Sequence, residues 1–140
     1  MKISTKGTYA VQLMLHLADR GQGGPISLKE VSSTQGISKK YLEQIVPSLV
    51  TAKLLKSLRG ANGGYQLARP ASAISVYDVL AATEGSLSPV DYDAFEPGAP
   101  NLDLNMWKGL DAAIRDYLEG ISLQDIIDRE SLIAADSYSI

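Results

Sequence analysis

Apolar residues recur at helical period along much of this chain. Between residues 5 and 20, Tyr9, Leu13 and Leu17 line one face and Val11, Met14 and Leu15 widen it, so the spacing predicts a first helix there. The run Gly21-Gln22-Gly23-Gly24-Pro25 ends it. Ser27-Leu28-Lys29-Glu30 has the form of a capping box, with Ile26 and Val31 as staple residues, and predicts a short second helix that stops near Gln35-Gly36. From Ser38 a third stripe begins. Leu42, Ile45, Val46 and Leu49 fall at i, i+3, i+4 and i+7, with Ser38 as N-cap and Ile37 placed to staple onto Leu42. Pro47 lies inside this stripe and removes the hydrogen bond to the Glu43 carbonyl, which predicts a kink or a tightened first half. The pattern then changes to two short strands, Leu54 to Arg59 and Tyr65 to Ala68. Between them lies Arg59-Gly60-Ala61-Asn62-Gly63-Gly64, where Asn-Gly and Gly-Gly are expected to supply the positive φ of a tight hairpin.

The second half is helical again. Ser75-Val76-Tyr77-Asp78 is a capping box stapled by Ile74 and Val79, and its helix should end at Glu84-Gly85. Residues 86–101 hold three prolines and Gly98 among Asp91, Asp93 and Glu96, the composition of an acidic loop. From Leu102 to Ile121, the residues Trp107, Leu110, Ile114, Tyr117 and Ile121 are spaced 3, 4, 3 and 4, a heptad-like seam suited to pairing with a second copy. Ser122-Leu123-Gln124-Asp125 then caps a short final helix to about Arg129, stapled by Ile121 and Ile126, and 131–140 is expected to be a flexible tail. The organisation expected is a first domain over 1–85, the acidic loop at 86–101, a dimerisation helix and short helix over 102–130, and the tail. The fold class is mainly α with a small β-hairpin.

Charge sharpens this division. Residues 1–70 carry ten Lys/Arg and three Asp/Glu, whereas residues 71–140 carry three Lys/Arg and thirteen Asp/Glu, so the net charge of −3 hides a basic half and an acidic one. A basic half that coincides with a helix and hairpin suits nucleic acid. The sequence has no cysteine, which excludes disulfides and thiolate-held zinc or iron–sulfur clusters. Its single histidine, His16, has no second His or Cys to join as a ligand. With no phosphate-binding glycine motif either, no catalytic constellation stands out, and no cofactor and no enzyme activity are expected. No apolar run approaches the ~20 residues of a membrane span, and Met1-Lys2-Ile3 opens no secretory signal, so the expected place is the cytoplasm.

The polar side of the third helix carries Lys39, Lys40, Tyr41, Glu43, Gln44 and Ser48. A short helix, a glycine turn at Gly36, a polar-faced helix and a hairpin tipped by arginine have the layout of a winged helix-turn-helix, with the helix in a major groove of double-stranded DNA and the wing along the backbone or in the minor groove. Gln44 can read adenine and Glu43 can accept from cytosine N4. Arg59 suits a narrow minor groove. Lys2, Ser4, Thr5 and Lys6 precede the first helix, where charge and free N–H groups can meet phosphate.

These stretches resemble the Rrf family of bacterial winged-helix regulators. The resemblance is carried by MKISTKGTYAVQLMLHLA, KKYLEQIVPSLVTAKLLKSLRGANGGYQL, ISVYDVLAATEG and MWKGLDAAIRDYLEGISLQDI, and above all by YLEQ followed by RGxxGGY. It implies a homodimer on a palindromic operator, acting as a repressor. Ser38, Lys40, Tyr41, Glu43 and Gln44 would lie on the recognition helix, and Arg59, Gly60, Asn62, Gly63 and Gly64 on the wing. Cluster-binding members carry three cysteines in the loop before the dimer helix, and this chain has none there. The cysteine-free loop and EGSLSPVD resemble the CymR-type branch, which governs sulfur assimilation and cysteine synthesis. That branch implies a complex with cysteine synthase, in which the terminal Tyr138-Ser139-Ile140 would imitate the acetyltransferase tail that docks an isoleucine carboxylate. Two further readings stay open: a cluster-linked regulator of the IscR type whose cysteines are absent or removed, and a protein-interaction module that does not bind DNA.

Overall fold

The computed structural model describes residues 2–137, the side chain of Gln22 excepted. Tyr138 and Ile140, named above for partner docking, lie outside the described residues. Helices α1 (Thr5–Arg20), α2 (Leu28–Gln35) and α3 (Lys39–Thr51) are followed by the antiparallel strands β1 (Leu55–Leu58) and β2 (Gly64–Leu67), then by α4 (Val76–Glu84), α5 (Leu104–Glu119) and α6 (Leu123–Ser137).

Serine hydroxyls start these helices where the sequence places them. Ser27, Ser38, Ser75 and Ser122 accept from the backbone N–H groups of Glu30, Tyr41, Asp78 and Asp125 at 3.2, 3.1, 3.0 and 3.0 Å. Asp78 and Asp125 return the bond, each accepting at 2.9 Å from the N–H of its capping serine. Each such cap is worth about 1 kcal/mol.

The core lies where the stripes meet. Leu13, Met14 and Leu17 of α1 pack with Leu42, Ile45 and Leu49 of α3, and with Val31, Leu54, Leu55, Val79 and Leu123. Each of these large side chains contributes roughly 1.5–3 kcal/mol by leaving water. The hairpin gains a third backbone partner outside its own strands. The N–H of Ile26 donates to the Tyr65 carbonyl at 2.9 Å, and the N–H of Tyr65 donates to the Ile26 carbonyl at 2.8 Å. A similar clasp ties the entrance of α4 to that of α6. Val76 N–H donates to the Ile121 carbonyl at 2.9 Å, and Leu123 N–H donates to the Ile74 carbonyl at 3.0 Å.

Helix α3 runs from Lys39 to Thr51 as one element with Pro47 inside it, and the lost donor faces the Glu43 carbonyl on the solvent side, where both residues are exposed. Three expectations change. Helix α6 continues past Arg129 to Ser137, so the described part of the segment expected as a tail is helical. The sequence there, Leu132-Ile133-Ala134-Ala135, holds no glycine or proline to stop it. Helix α5 ends at Glu119 on the Gly120 cap, which leaves Ile121 off the helix. Ile121 instead packs on an internal cluster with Val76, Leu80, Leu87 and Leu118.

The third change concerns the glycines of the hairpin. Gly60 carries the positive φ, +117°, while neither Asn62, Gly63 nor Gly64 does. Gly63 and Gly64 are needed for space. A Cβ on Gly63 would run into the Leu58 carbonyl, and one on Gly64 into the Ile26 carbonyl. The backbone bridge to Ile26, invisible to local pattern, is what makes Gly64 a packing residue.

Candidate nucleic-acid interface

Helix α3 divides sharply. Leu42, Ile45, Val46 and Leu49 are buried, while Lys39, Lys40, Glu43 and Gln44 are exposed on the opposite side. The turn that aims it is built on Gly36, in the left-handed conformation with φ 70° and ψ 21°, whose N–H closes α2 on the Ser32 carbonyl at 3.0 Å. A side chain there would be strained, which is why a glycine stands at the bend. Ser38 spends its hydroxyl on capping, accepting from Tyr41 N–H, and remains exposed. Tyr41 is half-buried, its ring edge-on to Tyr9 of α1 with centroids 5.3 Å apart. Lys6 of α1 reaches the same helix, donating from Nζ to Ser48 Oγ at 3.2 Å.

The wing projects from the same half of the chain. Arg59, Gly60 and Asn62 are exposed at its tip, and the turn is closed by Gly63 N–H on the Gly60 carbonyl at 3.0 Å. Gly63 and Gly64 are half-buried at its base. Among the described residues the ion pair formed is Arg69–Asp78, at 3.5 Å, and none of Lys39, Lys40, Glu43 or Arg59 is paired. The charges of α3 and the wing are therefore exposed and without an ion-pair partner among the described residues. Lys53 and Lys56, which the sequence pattern did not single out, are also exposed at the wing's foot. Their signal was present as basic residues before and within a strand, but only the structure shows that β1 buries Leu55 alone and leaves Lys56 exposed.

The start of α1 is arranged differently from the expectation. Ser4 caps the helix by accepting from Gly7 N–H at 3.1 Å, and both its N–H (3.2 Å) and its hydroxyl donate to Glu84 at the end of α4. The first turn of α1 thus already faces a carboxylate of its own chain. Lys2 and Thr5 stay exposed beside it, and Lys6 is half-buried.

The seam on α5 is split between two faces. Trp107 and Ile114 are half-buried, whereas Leu110 and Tyr117 are 42 and 66% exposed. Met106, 57% exposed, joins the outer stripe and was missed by the heptad count. No residue of α5 is buried. At its middle, Tyr92 of the acidic loop donates to Asp111 Oδ2 at 3.2 Å, and burial, followed by the Asp111 charge, raises the phenol above its ordinary pKa.

A glycine-bent helix pair, a polar recognition helix and a two-stranded wing define a winged helix-turn-helix transcriptional regulator. The pattern of the Rrf2 family, described as iron-dependent transcriptional regulators, matches residues 3–129, and the chain belongs to that family. The HTH-type transcriptional regulator CymR of Bacillus subtilis is 40% identical over 126 residues, which span 90% of this chain and 89% of that protein. A solved structure of B. subtilis CymR, described as the global cysteine regulator, superposes with a TM-score of 0.82 at 38% identity, covering 92% of this chain and 98% of that one. The structure of T. potens IscR gives 0.76 at 40% identity, covering 93 and 88%.

Iron dependence belongs to the family's description, and the residues here do not fit it. The sequence holds no cysteine, and among the described residues no three His, Asp or Glu side chains converge in a group able to hold a metal. Among those residues no helix is long and apolar enough to cross a membrane.

Proposed function

We propose that this protein acts in the cytoplasm as a homodimeric repressor that binds a palindromic operator and controls genes of cysteine and sulfur metabolism. It does so by binding, without catalysing a reaction. The observation that carries this reading is the unpaired polar face of α3, Lys39, Lys40, Glu43 and Gln44, presented beside an exposed Arg59 at the wing tip. Gln44 offers the bidentate amide that matches adenine, and Glu43 an acceptor for cytosine N4. Lys39 and Lys40 supply phosphate contacts, and Arg59 enters a narrow minor groove.

Dimerisation is supported by the outer stripe of α5. Met106, Leu110 and Tyr117 form an exposed apolar row on a helix whose other face, with Leu118, packs on its own chain. Two copies joined there present two recognition helices to one operator. The cysteine reading follows the resemblance to CymR, and with it the proposal that Tyr138 and Ile140 dock into cysteine synthase.

Selection of bound sequences from a random duplex pool, with and without cysteine synthase, tests these points together. A palindrome whose recovery changes with the enzyme supports the whole reading. A palindrome indifferent to the enzyme removes the docking and keeps the DNA reader. Failure to enrich any site leaves a protein-interaction module.

A further inference from the structure

We propose that the cleft between α1, the end of α2 and α6 binds a small zwitterion of the α-amino acid class with an apolar side chain. The cleft is an open groove of about 430 Å³, within the range of small-molecule sites. His16 stands in its wall, 5% exposed, and its Nε2 has no hydrogen-bond partner in the protein. Buried polar atoms are nearly always paired, so an orphaned imidazole nitrogen is a place where a partner is wanted. The other ring nitrogen is engaged, with Gln35 Nε2 at 3.2 Å from Nδ1. An amide N–H can only donate, so Nδ1 accepts and the proton sits on Nε2. The unmet need is for an acceptor such as a carboxylate oxygen.

The charges of the cleft narrow the ligand further. Arg20 supplies a cation, while Asp19 and Glu130 supply two carboxylates, and none of the three is in an ion pair among the described residues. A simple anion would meet Arg20 and the imidazole N–H but face two like charges. A simple cation would leave Arg20 and Nε2 unmet. A zwitterion satisfies both sets. Leu15 and Ile127 offer an apolar wall for its side chain. Because Nε2 is covered, the ligand must shift neighbouring side chains as it enters, which makes its binding a conformational event.

Position gives this event a consequence. Thr34 and Gln35 close both the cleft and α2, and the next residues are the Gly36 bend and the cap of α3. A ligand that fixes α6 against α2 therefore bears on the angle of the recognition helix. That coupling, unlike the binding itself, rests on the DNA reading proposed above.

Titration calorimetry on the full chain without DNA tests the site, using L-leucine, L-isoleucine and L-methionine at millimolar concentration. 4-Methylpentanoate and isopentylamine serve as the analogues lacking the ammonium and the carboxylate. Saturable heat is expected for at least one of the amino acids, and none for either analogue. Arg20→Ala, on the exposed rim, should weaken it about tenfold, the loss of one charge-assisted contact. Glu130→Gln should weaken it as well. Heat from none of the three amino acids overturns the proposal, as does binding that both substitutions leave unchanged, or equal binding of an analogue. Operator affinity measured by anisotropy without any amino acid reports separately on the DNA reading.

Discussion

The ring of Tyr41 meets that of Tyr9 edge-on, with centroids 5.3 Å apart and planes at 82°. A residue on the recognition helix is thereby tied to the first helix, and the contact fixes how far α3 can roll. Removing the ring by Tyr41→Ala should cost about 2 kcal/mol, since a half-buried aromatic loses part of its area and its ring pairing together. Tyr41→Phe keeps the ring and should unfold in urea like the parent. A drop in operator affinity for Tyr41→Phe at unchanged stability would assign its hydroxyl to DNA.

Gly64 faces backbone, which cannot step aside. Gly64→Ala should destabilise by roughly 1–3 kcal/mol, as overpacking does, by forcing β2 away from Ile26. Gly60→Ala meets nothing in space but must hold φ near +117°, so it should strain the wing tip and leave the thermal midpoint of the body almost unchanged. A large loss of midpoint in Gly60→Ala and none in Gly64→Ala would reverse these roles.

Arg59 and Lys39 should separate in their effects on DNA. Arg59→Ala is expected to cost about 1–3 kcal/mol of specific binding. Lys39→Ala should weaken specific and non-specific duplexes alike and flatten the salt dependence by about one unit. Gel-shift titrations over a range of salt measure both. Wild-type binding by Arg59→Ala would show that the wing does not reach the duplex.

The outer stripe of α5 should govern assembly without governing folding. Leu110→Glu or Tyr117→Glu puts a charge into a face that is exposed in the single chain. The expected result in sedimentation is a monomer with an unchanged far-ultraviolet spectrum and weakened operator binding. A dimer in both variants would move the interface off this stripe.

Asp125 links stability to acid. The Ser122 backbone N–H, then the Ser122 hydroxyl, hold its carboxyl below the usual carboxylate pKa, with a smaller push from Arg129. The folded pKa lies below the unfolded one, so the contribution is present above the ordinary carboxylate range and fades as pH falls through the lowered folded value. Asp125→Asn should therefore be less stable than the parent near neutrality, and the gap in thermal midpoint should close in acid. A gap that is constant with pH would detach it from this carboxylate.

What the sequence made legible was local. The stripe of α3, the serine caps and the hairpin all depend on residues within a few positions of each other, and the structure places them as their spacing predicts. The rest depends on distant partners. Glu84 bonds Ser4 across 80 positions, so no reading of the first helix could see that its opening turn faces an internal carboxylate. Gly64 appears as a turn glycine until Ile26 is laid beside it. The heptad on α5 counted apolar residues along one helix, but their spacing alone does not show that Trp107 and Ile114 are half-buried while Leu110, Tyr117 and Met106 are exposed. Helix α6 ran on because nothing in Leu132 to Ala135 stops a helix, a signal by omission that is easily overlooked.

The paired hydrogen bonds between the entrances of α4 and α6 have a topological consequence. From Ile74 the chain runs through α4, which packs Val79 into the core, then through the acidic loop and α5, and returns to the same spot at Leu123, so this path is closed with its two ends pinned together. Lengthening or shortening residues 86–101 changes the path and leaves its base in register. Within that loop Leu87 is anchored in the small cluster with Val76 and Leu80 and Tyr92 is held by Asp111, so a change of length is best absorbed after Tyr92, among the exposed residues 96–100.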